Sequence, residues 1–423
     1  MKYRILLLSD IHWLAVADEF DPHFELRKCF LSDIKDCAET IGPIDAILIC
    51  GDIAGKGAKD EYDCARSFLN SVCKNIKCEK EQIYCVPGNH DKDFGAPYEH
   101  LRHILHLGLS HESAYSHERF KDLLNKDFNT VKILYSPFKN YHEFAFTYDS
   151  VEPLMTSCLD KNITKYNKDT DCTYFKKHLT TLDGFDVFLY GLNSSVISDW
   201  YDIDELDEKR KDGHNLFIPN SHFSVEVENR INIAIMHHPL NFVANGTKIG
   251  DKFDKKFHIQ VFGHIHKPSS NKTTCVHIFS GAFQPPSQSG LDDNQFFSVF
   301  NIVELEVVKN PTPSLKVSLR VEKYCPDKGF ENYMPETKDY YIPLKDGHPN
   351  RWKDNLNVPD KKQMDIPSRK IIVKFLQSRN PKQYIKQLGE YDENLSLPLN
   401  CKLFLQKMEA EGKLNELWNL LEK

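Results

Sequence analysis

The stretch Ile83-Tyr84-Cys85-Val86-Pro87-Gly88-Asn89-His90-Asp91 changes character in its middle. Its first four residues are apolar and suit a short buried strand. After the turn at Gly88 come an amide, an imidazole and a carboxylate. A strand ending this way aims three polar side chains past the edge of a sheet, where open α/β sheets bind ligands. Alone, a Gly-Asn pair marks only a turn. Its weight depends on other stretches built the same way.

Upstream, residues 3–8 form a near-continuous apolar run that suits a strand buried on both faces, and it stops at Asp10-Ile11-His12. Residues 24–41 carry one apolar stripe at helical spacing: Leu26, Phe30, Leu31, Ile34, Cys37, Ala38 and Ile41. A second strand over 45–50 ends at Gly51-Asp52, and residues 60–72 predict a second helix. Strand, helix, strand, helix, strand is the rhythm of a parallel doubly wound unit. Downstream, strands over 186–192, 230–236 and 258–262 end at Asn193-Ser194-Ser195, His237-His238-Pro239 and Gly263-His264-Ile265-His266. Further strands are expected over 273–280 and 296–308.

Residues 92–180 break the rhythm and read as an insertion over the top of the sheet, with short helices over 101–107 and 116–128. Phe138, Tyr141, Phe144, Phe146 and Tyr148 suggest an aromatic segment with some strand alternation. After residue 308 the Pro-containing run 310–313 reads as a linker, 314–324 as an edge strand, and 325–367 as loosely ordered or extended. A C-terminal amphipathic helix is expected over 399–421, weakened by Gly412. The expected division is a catalytic domain over 1–308 and an accessory region over 309–423.

Composition is that of an ordinary globular protein, 40% hydrophobic and 27% charged. A net charge of -7 gives no general attraction to polyanions, so a phosphate-bearing partner must be drawn by a local site or by metal ions. Twelve scattered cysteines without a Cys-x-x-Cys signal neither a zinc knuckle nor a redox pair, and a reduced cytoplasmic setting is the expectation. The apolar run after Lys2 and Arg4 is too short for a signal peptide, and no stretch is long enough to span a membrane.

The strand ends collect Asp10, His12, Asp52, Asn89, His90, His237, His264 and His266. Carboxylate, imidazole and amide donors suit Mn, Fe or Zn. They exceed the needs of one ion, and with Asp52 shared they would serve two ions about 3.5–4 Å apart. The blocks Asp10-Ile11-His12, Gly51-Asp52, Gly88-Asn89-His90-Asp91, His237 and Gly263-His264-Ile265-His266, in that order, resemble those of calcineurin-like metallophosphoesterases. The resemblance covers about residues 1–305 and is nearest the branch with class III cyclic-nucleotide phosphodiesterases.

That resemblance implies an α/β fold, a β-sandwich flanked by helices (αββα), with a smaller C-terminal accessory region. It implies one divalent ion on Asp10, His12, Asp52 and His266 and another on Asp52, Asn89, His237 and His264, with Mn2+ expected first and Fe or Zn as alternatives. His237 is favoured over His238 by the family pattern. His90 is expected to face the scissile phosphate, with Asp91 either orienting it or standing as an exposed turn carboxylate. The implied reaction is hydrolysis of a small nucleotide-type phosphodiester by a hydroxide bridging the two ions. The alternatives are a nuclease like that of double-strand-break repair, disfavoured by the acidic balance, phosphomonoester or protein-phosphate hydrolysis, and a non-enzymatic scaffold docking a protein partner or a second copy through its C-terminal region. The scaffold reading expects missing ligands, and none is missing. Trp13 beside the first ligand pair reads equally as a base-stacking ring or as wall packing.

Overall fold

In the computed structural model the described residues are 1–16, 21–93, 95–109, 113–198, 216–219, 227–244, 246–285, 297–309, 312–345, 371, 374–375, 378, 381–389, 391, 400–401, 404–405, 407–408 and 413–421. The chain begins with β1 (Lys2–Leu8), α1 (Phe24–Ile41), β2 (Ala46–Ile49), α2 (Lys59–Ile76) and β3 (Ile83–Cys85). Helices α3 (Glu99–Leu109), α4 (Ser113–Lys126), α5 (Phe128–Tyr135), α6 (Lys139–Phe146) and α7 (Pro153–Leu159) follow. Next come β4 (Tyr174–Leu182), β5 (Phe185–Leu192), β6 (Arg230–Met236), α8 (Gly246–Phe253), β7 (Ile259–Phe262), β8 (Ser269–Lys272) and β9 (Val276–Phe279). The last strands are β10 (Val299–Lys309), β11 (Pro313–Cys325), β12 (Gly329–Asn332) and β13 (Lys338–Pro343).

Two sheets result. In the first, β1, β2 and β3 run parallel, with Leu6 opposite Ile47 and Leu48 opposite Tyr84, and β10 lies antiparallel on the other side of β1. β11 pairs with β10, and its far edge carries both β12 and β13. The second sheet has the order β4-β5-β6-β7-β9-β8, parallel from β5 through β9 and antiparallel at both ends.

Alternation explains the layers. Ile5, Leu7 and Leu48 of the first sheet share one buried cluster with Val187, Leu189, Ile233 and Ile235 of the second. Leu6, Leu8, Ile47 and Ile49 point the other way, into a cluster with α1, α2 and α5–α7. Ala234, Met236 and Phe262, on the outer face of the second sheet, pack with Ile249 and Phe253 of α8. Strands buried on both faces read as near-continuous apolar runs, complete in β2 and broken only toward the start of β1 and β6. The architecture is the expected helix-flanked sandwich.

Several expectations need correction. Residues 138–148 form a 3-10 turn and α6 rather than a strand, because Phe138, Tyr141, Ala145 and Tyr148 recur at helical spacing and bury one face. Their helix joins the layer beside α2, with Tyr62 and Phe144 rings 5.2 Å apart, instead of lying over the sheet end as an insertion. The strand β4 also lies within the range read as an insertion.

The expected boundary at residue 308 falls inside a sheet. β11 pairs with the whole length of β10, from Val299 opposite Lys323 to Lys309 opposite Pro313, so the Pro-rich run joins two paired strands rather than two domains. β11 is not an edge strand either, since β13 covers it. The chain divides instead into Met1–Gly347 and His348–Lys423. Within the second unit, Ile371, Phe375, Ile385, Phe404, Met408, Leu414 and Leu417 form a small core of their own. The expected helix over 399–421 is interrupted: 400, 401, 404, 405, 407 and 408 are helical, Lys413 is not, and a separate helix spans Leu414–Leu421. Gly412 and most of 325–367 beyond β13 lie outside the described residues.

Candidate metal centre

Five strands deliver the candidate residues to one place. β1, β2 and β3 of the first sheet and β6 and β7 of the second all end there, each handing over to a loop held against its neighbours by backbone bonds. Ile11 and His12 both donate to the Asp52 carbonyl, at 2.8 and 2.9 Å, and Gly263 donates to the His237 carbonyl at 2.9 Å. The loops approach so closely that a side chain at Gly88 would run into the Asp52 carboxylate, and one at Gly263 into Ser9. Asp10, His12, Asp52, His264 and His266 all adopt left-handed φ values, between 49° and 70°. Such conformations cost of order 1–3 kcal/mol each and persist where the surroundings enforce them.

The side chains converge. His266 Nε2 lies 3.1 Å from Asp10 Oδ1, and His12 Nε2 lies 3.4 Å from His266 Nε2. His12 Nε2 stands 4.0 Å from Asp10 Oδ1 and 3.9 Å from Asp52 Oδ2. On the other side, His237 Nε2 is 3.3 Å from Asp52 Oδ2 and 3.1 Å from Asn89 Oδ1. The His264 ring lies beside His237, with centroids 5.2 Å apart, and its backbone N–H donates to the Asp10 carboxylate. Asp52 thus stands between an Asp10–His12–His266 group and a His237–Asn89 group. Asp10, Asp52, Asn89 and His237 are fully buried, whereas His12, His90, His264 and His266 are half-buried and mark the open side.

The donor set fits divalent cations. His237 Nδ1 lies 2.8 Å from the Cys50 carbonyl, to which it donates, and this turns the Nε2 lone pair toward Asp52 and Asn89. His237 Nε2 thus faces two oxygens at 3.1–3.3 Å, a contact that calls for positive charge between them, either a proton on Nε2 or a cation. Titration points the same way. Burial opposes charge on Asp10, yet His266 beside it holds that carboxyl down at about 2. Burial likewise opposes the His237 imidazolium, but Asp52 raises it to about 9. His12 is pushed down to about 4 and His264 to about 3, in each case mainly by burial, which leaves the imidazole lone pairs available.

His238 is also buried and near His264, at 4.5 Å between centroids, but its Nδ1 is engaged 2.9 Å from the Ser194 hydroxyl. The His90 ring stands edge-on to His12 at 4.7 Å, its Nδ1 is 2.9 Å from the Gly55 carbonyl, and its backbone N–H donates to Asp52 Oδ1. Asp91 is not an exposed turn residue. It is fully buried and accepts N–H bonds from Ile53, Ala54 and Gly88 and an O–H bond from Tyr62. It therefore ties the loop after β2 to the loop after β3. Trp13 is wall packing: it is buried against Phe68, with the Arg27 guanidinium over its ring at 4.2 Å.

The sequence places Asn193 and Ser194 at a strand end without assigning them a task, and it passes over Glu152. Ser194, just after β5, holds His238, and Asn193 donates to the buried Glu152 at 3.4 Å. Glu152 has no motif around it that could have found it.

The chain matches the family model described as calcineurin-like phosphoesterase over residues 3–268. It is 33% identical over 91 residues to YydB of Bacillus subtilis, an uncharacterized metallophosphoesterase-like protein, covering 22% of this chain and 18% of that one. It is 27% identical over 109 residues to a 3′,5′-cyclic-nucleotide phosphodiesterase of Nostoc sp., covering 26% of this chain and 36% of that one. The matched segments thus span well under two thirds of either relative. Among solved structures, the calcineurin-like phosphoesterase YfkN of Bacillus subtilis aligns with TM-score 0.35 and 12% identity, over 81% of this chain and 90% of that one. Among the described residues no helix is long and apolar enough to cross a membrane. With more than half of its length matched by the family model, the chain belongs to the calcineurin-like phosphoesterase family.

Proposed function

We propose that this chain is a dinuclear-metal-dependent phosphodiesterase acting on a small nucleotide-type diester. One observation carries the reading: Asp52 stands 3.9 Å from His12 on one side and 3.3 Å from His237 on the other, the position of a carboxylate shared by two ions. Asp10, His12 and His266 complete one ligand group, and Asn89, His237 and His264 the other. His237 serves rather than His238, because its Nε2 faces Asp52 and Asn89 while His238 is held by Ser194.

Two divalent ions at such a site lower the pKa of water and neutralise charge on phosphoryl oxygens. The protein's own groups do the rest. Asp10 and Asp52 stay ionised at neutral pH, so the centre holds its anionic charge. The half-buried rings of His12, His90 and His266 border the side from which a phosphate approaches. His90, with Nδ1 donating to the Gly55 carbonyl, keeps a fixed orientation there and is the general acid for the leaving oxygen, a role worth about 10²–10⁴-fold. Asp91 is a positioning residue for the loop that carries His90. The similarity to a cyclic-nucleotide phosphodiesterase supports a diester substrate.

Turnover of bis-p-nitrophenyl phosphate, cyclic nucleotides, p-nitrophenyl phosphate and single-stranded DNA, side by side with Mn2+, tests the proposal. Small diesters are expected to be hydrolysed, and Asp52→Asn to lose at least about 10²-fold in activity together with bound metal. Salt-sensitive DNA cleavage without small-diester turnover would overturn the substrate assignment.

A further inference from the structure

A second constellation lies on the outer face of the second sheet. Asp254 follows α8, Cys275 precedes β9, and His277 lies within it. Cys275 and His277 are two residues apart and so share one side of the strand. Gln260, directly opposite His277 in the β7–β9 register, brings its carboxamide to the same spot. None of these residues belongs to the centre described above.

The three ligand atoms form a small triangle. His277 Nε2 is 3.1 Å from Asp254 Oδ1 and 3.3 Å from Cys275 Sγ, and Cys275 Sγ is 3.4 Å from Asp254 Oδ1. Zn–N, Zn–O and Zn–S bonds of about 2.0, 2.1 and 2.3 Å at tetrahedral angles set edges of about 3.4 Å for N···O and about 3.6 Å for the two edges to sulfur. The observed triangle has the same ordering and needs only slight expansion to close around zinc.

The surroundings prepare each donor. His277 Nδ1 lies 3.0 Å from Asn271 Oδ1 and donates to it, so Nε2 carries the lone pair that faces the other two atoms. The second oxygen of Asp254 accepts a 2.9 Å bond from the Thr273 hydroxyl, which aims the first inward. Partners of this kind, orienting the ligands from behind, recur around protein metal sites. Gln260 adds an independent observation. Its Nε2 lies 2.9 Å from Asp254 Oδ1 and 3.2 Å from Cys275 Sγ, while its Oε1 is buried without a hydrogen-bond partner among the described residues. Turning the carboxamide over puts oxygen where nitrogen stands, beside both Asp254 Oδ1 and Cys275 Sγ.

We propose that Asp254, Cys275 and His277, with Gln260 as the fourth donor, form a mononuclear Zn2+ site that clips the segment after α8 to β9. Thiolate and carboxylate together neutralise the ion, and the mixed S, N and O donors suit zinc better than the hard cations that prefer all-oxygen cages. The site is structural and stands apart from phosphoester chemistry.

Cobalt substitution in the full-length protein separates this site from the other. The candidate ligands at the main centre include no sulfur, so thiolate-to-cobalt charge-transfer absorption in the near ultraviolet reports a cysteine ligand. Wild-type protein loaded with Co2+ under reducing conditions is expected to show this band, and Zn2+ to abolish it. Cys275→Ser and His277→Gln should each reduce the band at least about tenfold, and elemental analysis after zinc loading should find one ion fewer per chain. Asp52→Asn should leave the band in place. His277→Gln alters a half-buried side chain, whereas Cys275 is fully buried, so it keeps the test decisive if Cys275→Ser fails to fold. A folded wild type without the band, or a band unchanged in both variants, would reduce the cluster to an Asp254–His277 ion pair and overturn the proposal.

Discussion

His12 has a φ of 49°, a region in which a Cβ crowds the following carbonyl. Its backbone is held there by the 2.9 Å bond to the Asp52 carbonyl. His12→Gly is therefore expected to be more stable than His12→Ala by about 1–2 kcal/mol, read from urea unfolding of the metal-free proteins. Glu152 supplies a pH-dependent counterpart. Burial raises its carboxyl from 4.5 to about 8. Between those values the native chain holds a proton that the unfolded chain releases, so this contribution is full below the unfolded pKa and is lost as pH rises through the native one. Wild-type stability should fall more steeply from about pH 5 to pH 8 than that of Glu152→Gln, the two curves diverging by a few kcal/mol at most. The candidate ligands were legible as residues because each follows an apolar strand run in fixed order. Asp91 was legible only as a position: that its carboxylate faces inward, onto three backbone amides and Tyr62, depends on loops distant in sequence. Asp254, Cys275 and His277 were not legible at all, since only the β7–β9 register and the end of α8 bring them together.

At the scale of elements, strands flanked by turn glycines and helices with long apolar stripes were readable, and their observed limits differ from expectation by a few residues. The failures share a cause. Short segments crowded with aromatic residues satisfy both periods, and residues 138–148 were assigned to the wrong one. The two periods make opposite statements about Phe144 and Phe146, which alternation would place on one face. In α6, Phe144 is fully buried against Tyr62 and Tyr148, and Phe146 is 64% exposed. Phe144→Ala should cost about 3–5 kcal/mol, and Phe146→Ala should stay within about 0.5 kcal/mol of wild type in chemical unfolding. A similar cost for both would return the segment to a strand.

For the whole molecule, the decisive feature beyond residue 308 is the β10–β11 hairpin. Leu315, Val317, Leu319 and Val321 of β11 enter the core between the sheets, so the sandwich is complete only once the chain has run back along β10. Composition concealed this, because prolines that open a hairpin resemble prolines in a linker. A fragment of residues 1–345 is expected to fold cooperatively and retain metal, while one of residues 1–308 should aggregate or remain unfolded, as circular dichroism and metal analysis would show. The free edge of β10 and the uncovered core together account for the difference.

The left-handed corners at Asp10, His12, Asp52, His264 and His266 bear on how such a chain can age. A duplicate relieved of the proposed chemistry gains robustness by swapping the His12 corner for glycine, whereas Asp10 and Asp52 keep a second task, accepting the His264 and His90 amide N–H groups. Decay would thus begin at the reactive heart and be rewarded by a sturdier shell, leaving an inert descendant with the same outline.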